Sequence, residues 1–186
     1  MENTECATFH LNSCDILFGS AYYNSNSPAD YANGLSTLYG SINSDRNDFT
    51  FNNIDFKTIL GTMYEKYDRF NLKLSAIMVS SSSGFGTAAE DRVLKINITG
   101  LPFSNSGYRQ FGNSNFTSIG ATIISRDTPT CWYFNDDNVF TIYKPMPLNN
   151  IRIYFTKIND AKPSNVVNTI YPNIDFYFRI YGIKDK

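Results

Sequence analysis

Most of the chain after residue 47 alternates between apolar and polar positions, which is the signature of strands with one buried face. Asp48-Phe49-Thr50-Phe51-Asn52 is a short example. From Phe70 to Ser80, Leu72, Leu74, Ala76 and Met78 fall on one face, with Lys73 and Ser75 on the other. From Asp91 to Leu101 the inward set is Leu94, Ile96 and Ile98, and Lys95 and Asn97 point out. Phe116 to Arg126 reads as a further strand, with Gly120 at a bend or bulge. Short strands follow at Cys131 to Phe134 and Val139 to Lys144, before Pro145 and Pro147 break the chain. Asn150 to Ile158 places Ile151, Ile153 and Phe155 inward. Ile174 to Ile183 does the same with Ile174, Phe176, Phe178 and Ile180, leaving Asp175, Tyr177, Arg179 and Tyr181 on the other face.

One segment keeps the helical period instead. Phe56, Ile59, Leu60, Met63 and Tyr67 recur at the spacing of a single helix face. Asn53 or Asp55 can cap its start, because a short side-chain oxygen accepts from the orphan amides there. Gly61 weakens this helix by about 1 kcal/mol of propensity.

These elements predict an all-β protein of eight antiparallel strands from residue 48 onward, each sheet solvated on one side, with one short helix between the first two strands. A two-sheet sandwich follows, and a jelly roll is the leading topology. Residues 48–186 form this single domain. Residues 1–47 read as an N-terminal arm or a long loop region with short strands. Two apolar stretches occur there, Ala7-Thr8-Phe9-His10-Leu11 and Ile16-Leu17-Phe18, before a long polar run rich in Ser, Asn, Tyr and Gly.

Composition narrows the function. The 186 residues carry a formal charge of −1, and only 18% are charged. That balance excludes a nucleic-acid binder driven by phosphate neutralisation. No run reaches the roughly 18 apolar residues that a transmembrane helix needs. The polar, acidic start Met1-Glu2-Asn3-Thr4-Glu5 is wrong for a secretory signal, so the protein is not expected to be secreted. Aromatics reach 16%, as 13 Tyr, 15 Phe and 1 Trp, and there are 22 asparagines. The sequons at Asn97 and Asn115 are therefore expected by chance.

Catalytic chemistry finds little material. His10 is the single histidine, which removes multi-histidine metal sites and thins the choice of general bases. It reads as a structural or surface residue. Cys6, Cys14 and Cys131 fit no zinc spacing and read as reduced, mostly buried thiols. Nothing beside Cys131 would lower its pKa to make it a nucleophile. Gly84-Phe85-Gly86 lacks the Lys-Ser/Thr that a phosphate loop requires. The adjacent pairs Glu90-Asp91 and Asp136-Asp137 would point to opposite faces of a strand and suit turns. No catalytic, cofactor-binding or metal-binding residue is assigned, and no cofactor is expected. The remaining candidates are Tyr22, Tyr23, Tyr31 and Tyr39, in the long polar run. Such a loop gives contact area at low entropy cost, for a protein neighbour or a sugar. Packing on its own domain is the competing reading.

The stretch from Asn52 to Leu74, with Leu60-Gly61-Thr62-Met63-Tyr64-Glu65-Lys66-Tyr67 at its centre, resembles small capsid proteins of large nucleocytoplasmic DNA viruses and virophages. In that group a strand leads into a short helix reading Leu-Gly-x-x-Tyr-x-Lys-Tyr/Phe, and a long strand follows. The closing Phe176-Tyr177-Phe178-Arg179-Ile180-Tyr181-Gly182-Ile183 also resembles their last strand. The resemblance implies a single jelly roll acting as a minor capsid protein, cement or penton-like. It implies self-assembly as a trimer or pentamer, contact with the major capsid protein and other minor capsid proteins, and residence in a virion assembled in host cytoplasm. The alternative is a soluble carbohydrate- or ligand-binding β-sandwich, in which Trp132 or the loop tyrosines stack on sugar rings.

Overall fold

In the computed structural model, residues 5–18, 35–36, 38–42, 48–79, 93–101, 103–105, 108–111, 115–124, 131–133, 139–145, 149–157 and 174–184 are described. In chain order the elements are β1 (Cys6–Asn12), α1 (Ser13–Phe18), β2 (Leu35–Ser36), β3 (Gly40–Ile42), β4 (Asp48–Ile54), α2 (Phe56–Leu60), α3 (Thr62–Lys66), β5 (Arg69–Val79), β6 (Val93–Thr99), β7 (Phe103–Asn105), β8 (Tyr108–Phe111), β9 (Asn115–Ile124), β10 (Cys131–Tyr133), β11 (Val139–Tyr143), β12 (Asn149–Lys157) and β13 (Ile174–Ile183). The chain is an all-β sandwich of two antiparallel sheets. One runs β1-β13-β5-β11-β7, with β10 also paired to β5. The other runs β2-β3-β4-β12-β6-β9-β8.

Each strand expected after residue 47 is present. Two short extra strands, β7 and β8, occupy a stretch that carries no clean alternation. Residues 6–18, read from the sequence as part of an arm or loop region, contribute Phe9, Leu11 and Ile16 to the same core as the rest of the chain. β1 lies against β13 in an unbroken register from Cys6↔Tyr181 to Asn12↔Asp175.

Alternation decides the core. Ile151, Ile153 and Phe155 on β12 are buried, as are Ile174, Phe176, Phe178 and Ile180 on β13. The sheets meet through phenylalanines. Phe176 of the first sheet faces Phe49, Phe51 and Phe155 of the second, with ring centroids 5.8, 6.1 and 6.3 Å away. Edge and tilted ring pairs of this kind add about 0.5–1.5 kcal/mol each beyond the area they bury.

Bulges interrupt the regular register, once as expected and elsewhere against the sequence pattern. On β5, Leu74 pairs with Phe178 and Ala76 with Tyr177, so Ser75 is the extra residue. Its hydroxyl donates to the Tyr177 carbonyl at 3.1 Å. The inward phase shifts there: Ile77 is buried, and Met78, expected inside, is only partly covered. On β9 the register jumps from Ala121 to Ile119 opposite Ile96 and Asn97, which makes Gly120 the bulged residue as expected. A third bulge sets Asn52 and Asn53 against Asn150. Asn53 takes φ 58°, a left-handed conformation that asparagine tolerates, and its amide donates to Asn150 Oδ1 at 3.1 Å.

The single helix expected over residues 56–67 is two short ones. Asp55 caps α2, its side chain accepting from the Lys57 and Thr58 amides. Gly61, at φ 52° and ψ −122°, ends α2 and starts α3. The change of direction keeps Phe56, Leu60, Met63 and Tyr67 buried but turns Ile59 outward, 37% exposed, against the expected face.

Asn97, expected on the outside, is buried at 3% exposure. Its Nδ2 donates to Thr156 Oγ1 at 3.0 Å and to the Tyr154 carbonyl at 3.4 Å. A buried amide needs such partners, because an unmade hydrogen bond costs more than a made one returns.

Candidate contact surface

Tyr22, Tyr23 and Tyr31 lie outside the described residues. Tyr39 is described, in the turn between β2 and β3 at the edge of the second sheet, 52% exposed beside Leu38 at 73%. The chain holds this tip in place from below. The Asn52 amide donates to the Tyr39 carbonyl at 2.8 Å, and Asn52 Nδ2 to the Leu38 carbonyl at 3.3 Å. Gly40 follows directly, and a β-carbon there would sit 2.9 Å from Ile16 Cγ1 and closer still to the Thr50 carbonyl oxygen. Only a bare α-carbon allows β3 to lie so near β4 and α1. Two large side chains are thus presented to solvent on a fixed backbone, an arrangement suited to contact with another surface.

A second exposed cluster sits around α2 and α3, and the sequence reading missed it. Tyr64 stacks on Phe70, the rings 9° from parallel with centroids 6.4 Å apart. Lys144 Nζ lies 4.8 Å from the Tyr64 ring centre, and Lys57 Nζ 5.8 Å. Ile59 on α2 and Tyr143 on β11, the latter 56% exposed, join Leu38 and Tyr39 as the exposed large hydrophobic side chains of the described residues. The Gly61 interruption takes Ile59 off the buried face.

Ion pairs tie down part of the described surface. Lys66 Nζ lies 2.6 Å from Glu5 Oε2 and 5.4 Å from the Tyr67 ring centre. The hydrogen bond from Lys66 holds the Glu5 carboxyl below its ordinary pKa, and the same bond raises Lys66. Arg152 donates through Nε and Nη2 to the two carboxylate oxygens of Asp48, and that bond raises the arginine. Thr58 is the main cause of the lowered Asp55 carboxyl, through its hydroxyl first and its amide second.

The remaining chemistry is sparse. His10, on β1, is exposed with its ring 4.0 Å from that of its cross-strand partner Tyr177. Cys6 is exposed and free, unlike the buried thiol expected there. Among the described residues no three His, Cys, Asp or Glu side chains converge on a metal-sized site. Among them, too, no helix is long and apolar enough to cross a membrane. No protein-family model matches the chain, and no curated protein matches its sequence.

Proposed function

We propose that this chain is a structural virion protein. It is a minor capsid protein, cement or penton-like, that self-assembles and contacts the major capsid protein. The observation that carries this reading is the strand order. Take only the strands of five or more residues, β1, β4, β5, β6, β9, β11, β12 and β13. In chain order the first, last, third and sixth make one sheet, β1-β13-β5-β11. The second, seventh, fourth and fifth make the other, β4-β12-β6-β9. That interleaving supports a jelly roll, an architecture frequent in viral capsids. Fold alone does not assign function, so the surface must agree with it. Contact area that supports the reading is offered by the exposed Leu38–Tyr39 tip and by Ile59 and Tyr143. The likeness of Asn52–Leu74 to small capsid proteins adds the class.

Mass spectrometry of purified virus particles, combined with chemical cross-linking, tests the reading. The expected result is this chain in the particle, cross-linked to the major capsid protein and to further copies of itself. A monodisperse monomer at high concentration, absent from purified particles, overturns it.

A further inference from the structure

Sheet edges are the places where a β-protein is open to other chains, because their backbone N–H and C=O groups lack a neighbouring strand. Among the described residues the outer strands are unequal. β2 has two residues, β7 and β10 three each, and β8 four. Edges that short offer little ladder to an incoming strand. β1 has seven residues, all in regular register with β13 on one side, and no strand of the described residues lies on its other side.

The sequence of β1, Cys6-Ala7-Thr8-Phe9-His10-Leu11-Asn12, also lacks the usual guards. It contains no Lys, Arg, Asp, Glu or Pro and no bulge. Natural edges are normally protected by one of these. Its side chains are well ordered by packing: Phe9 stacks on Phe178 at 4.9 Å and meets Phe56 edge-on at 5.7 Å, and Leu11 is buried. The strand is therefore a well-packed template that carries no Lys, Arg, Asp or Glu.

We infer that the β1 edge pairs antiparallel with the β1 edge of a second copy, joining two first sheets into one continuous sheet across a two-fold axis. The chemistry selects this occupant. An uncharged strand carries nothing to recognise an acidic or basic segment. Paired with itself it sets no like charges opposite each other, the arrangement that destabilises cross-strand pairs. The carboxylates beside it are engaged: Asp175 and Asp15 accept from Asn12, and Glu5 is held by Lys66. A two-fold axis makes the contact self-complementary, the commonest form of homo-oligomer interface. The inference rests on the assembly reading above, and names one interface through which copies join.

Charge reversal on the exposed face of β1 tests it. Thr8 and His10 are both exposed, so substitutions there leave the core intact. Two variants are made, Thr8→Lys with His10→Lys, and Thr8→Glu with His10→Glu. Each is checked for an unchanged circular dichroism spectrum and melting temperature, then measured by light scattering after size exclusion. Each alone is expected to show half the wild-type particle mass at a concentration where the wild type is fully associated. Mixing the two is expected to restore the full mass, because Lys then faces Glu. Wild-type mass in both charged variants overturns the β1 contact and leaves the assembly reading standing. Failure of the mixture to regain mass overturns the β1 contact as well. A monomeric wild type that is absent from particles overturns both.

Discussion

Replacing Gly182 by alanine adds one methyl group where the fold leaves no room for it. Gly182 continues the inward phase of β13, after Ile174, Phe176, Phe178 and Ile180. In place of a side chain it receives the ring of Tyr67, which closes the α3 turn and is itself buried. A β-carbon at Gly182 would lie 2.5 Å from Tyr67 Cγ and 2.8 Å from Cε2, and nearer still to Cδ2. Ordinary carbon contacts need about 3.5 Å or more, so ring or strand must move by about 1 Å. Neither moves freely. The Gly182 amide donates to the Glu5 carbonyl at 3.1 Å, and Gly182 sits in register with Phe70. Tyr67 is held edge-on against Phe70 at 6.5 Å. Overpacking of this kind costs about 1–3 kcal/mol. In a chain of this size each kcal/mol lowers Tm by about 2–4 °C, so Gly182→Ala is expected to lose roughly 2–12 °C. Thermal unfolding followed by circular dichroism measures this. A double-mutant cycle isolates the cause: in a Tyr67→Ala background, Gly182→Ala is expected to become nearly neutral. A Tm within about 1 °C of wild type for the single variant, or an equal loss in both backgrounds, refutes the reasoning.

Three further outcomes are expected. Asn97→Ala strips Thr156 Oγ1 and the Tyr154 carbonyl of a buried donor and is expected to destabilise by about 1–3 kcal/mol in urea titrations; a change under about 0.5 kcal/mol counts against it. Asp55→Ala removes the α2 cap and is expected to lower the urea midpoint at neutral pH. Because the folded carboxyl is held below its ordinary pKa, its contribution is complete above the ordinary carboxylate range and is lost as pH falls through the lowered value, so variant and wild type are expected to converge in acid; a gap that is constant with pH refutes this. Leu38→Asp with Tyr39→Asp is expected to leave stability within about 0.5 kcal/mol per site, since both side chains are exposed, while, under the proposed capsid role, weakening cross-linking to neighbouring proteins in particles. Undiminished cross-linking removes this tip from the contact surface.

The candidate surface was legible only in part. The sequence left Tyr39 open between contact and packing on its own domain, and its exposure is known only from the fold. The cluster of Lys57, Tyr64 and Lys144 was not legible, because it joins α3 to a residue eighty positions further on. Ile59 misled for a local reason: helical spacing assumes one unbroken axis, and Gly61 turns that axis.

Period-two alternation is a property of neighbouring residues, and it alone was enough to determine which side chains of β12 and β13 enter the core. Other local signals, a glycine inside a strand and the period of a helix face, placed the bulge at Gly120 and the helical segment near Phe56. What the tertiary structure decided was everything that depends on a partner distant in the chain. Ser75 enters as an extra residue only because β13 sets the register it must fit, and that one insertion exchanges Met78 for Ile77 in the core. Asn97 reads as a surface residue until Thr156 and Tyr154 arrive beside it. β1 reads as a piece of an arm until Tyr181 through Asp175 pair with it. A strand carries its faces in its own sequence, but its neighbours are chosen by the burial and hydrogen bonding of the whole sheet.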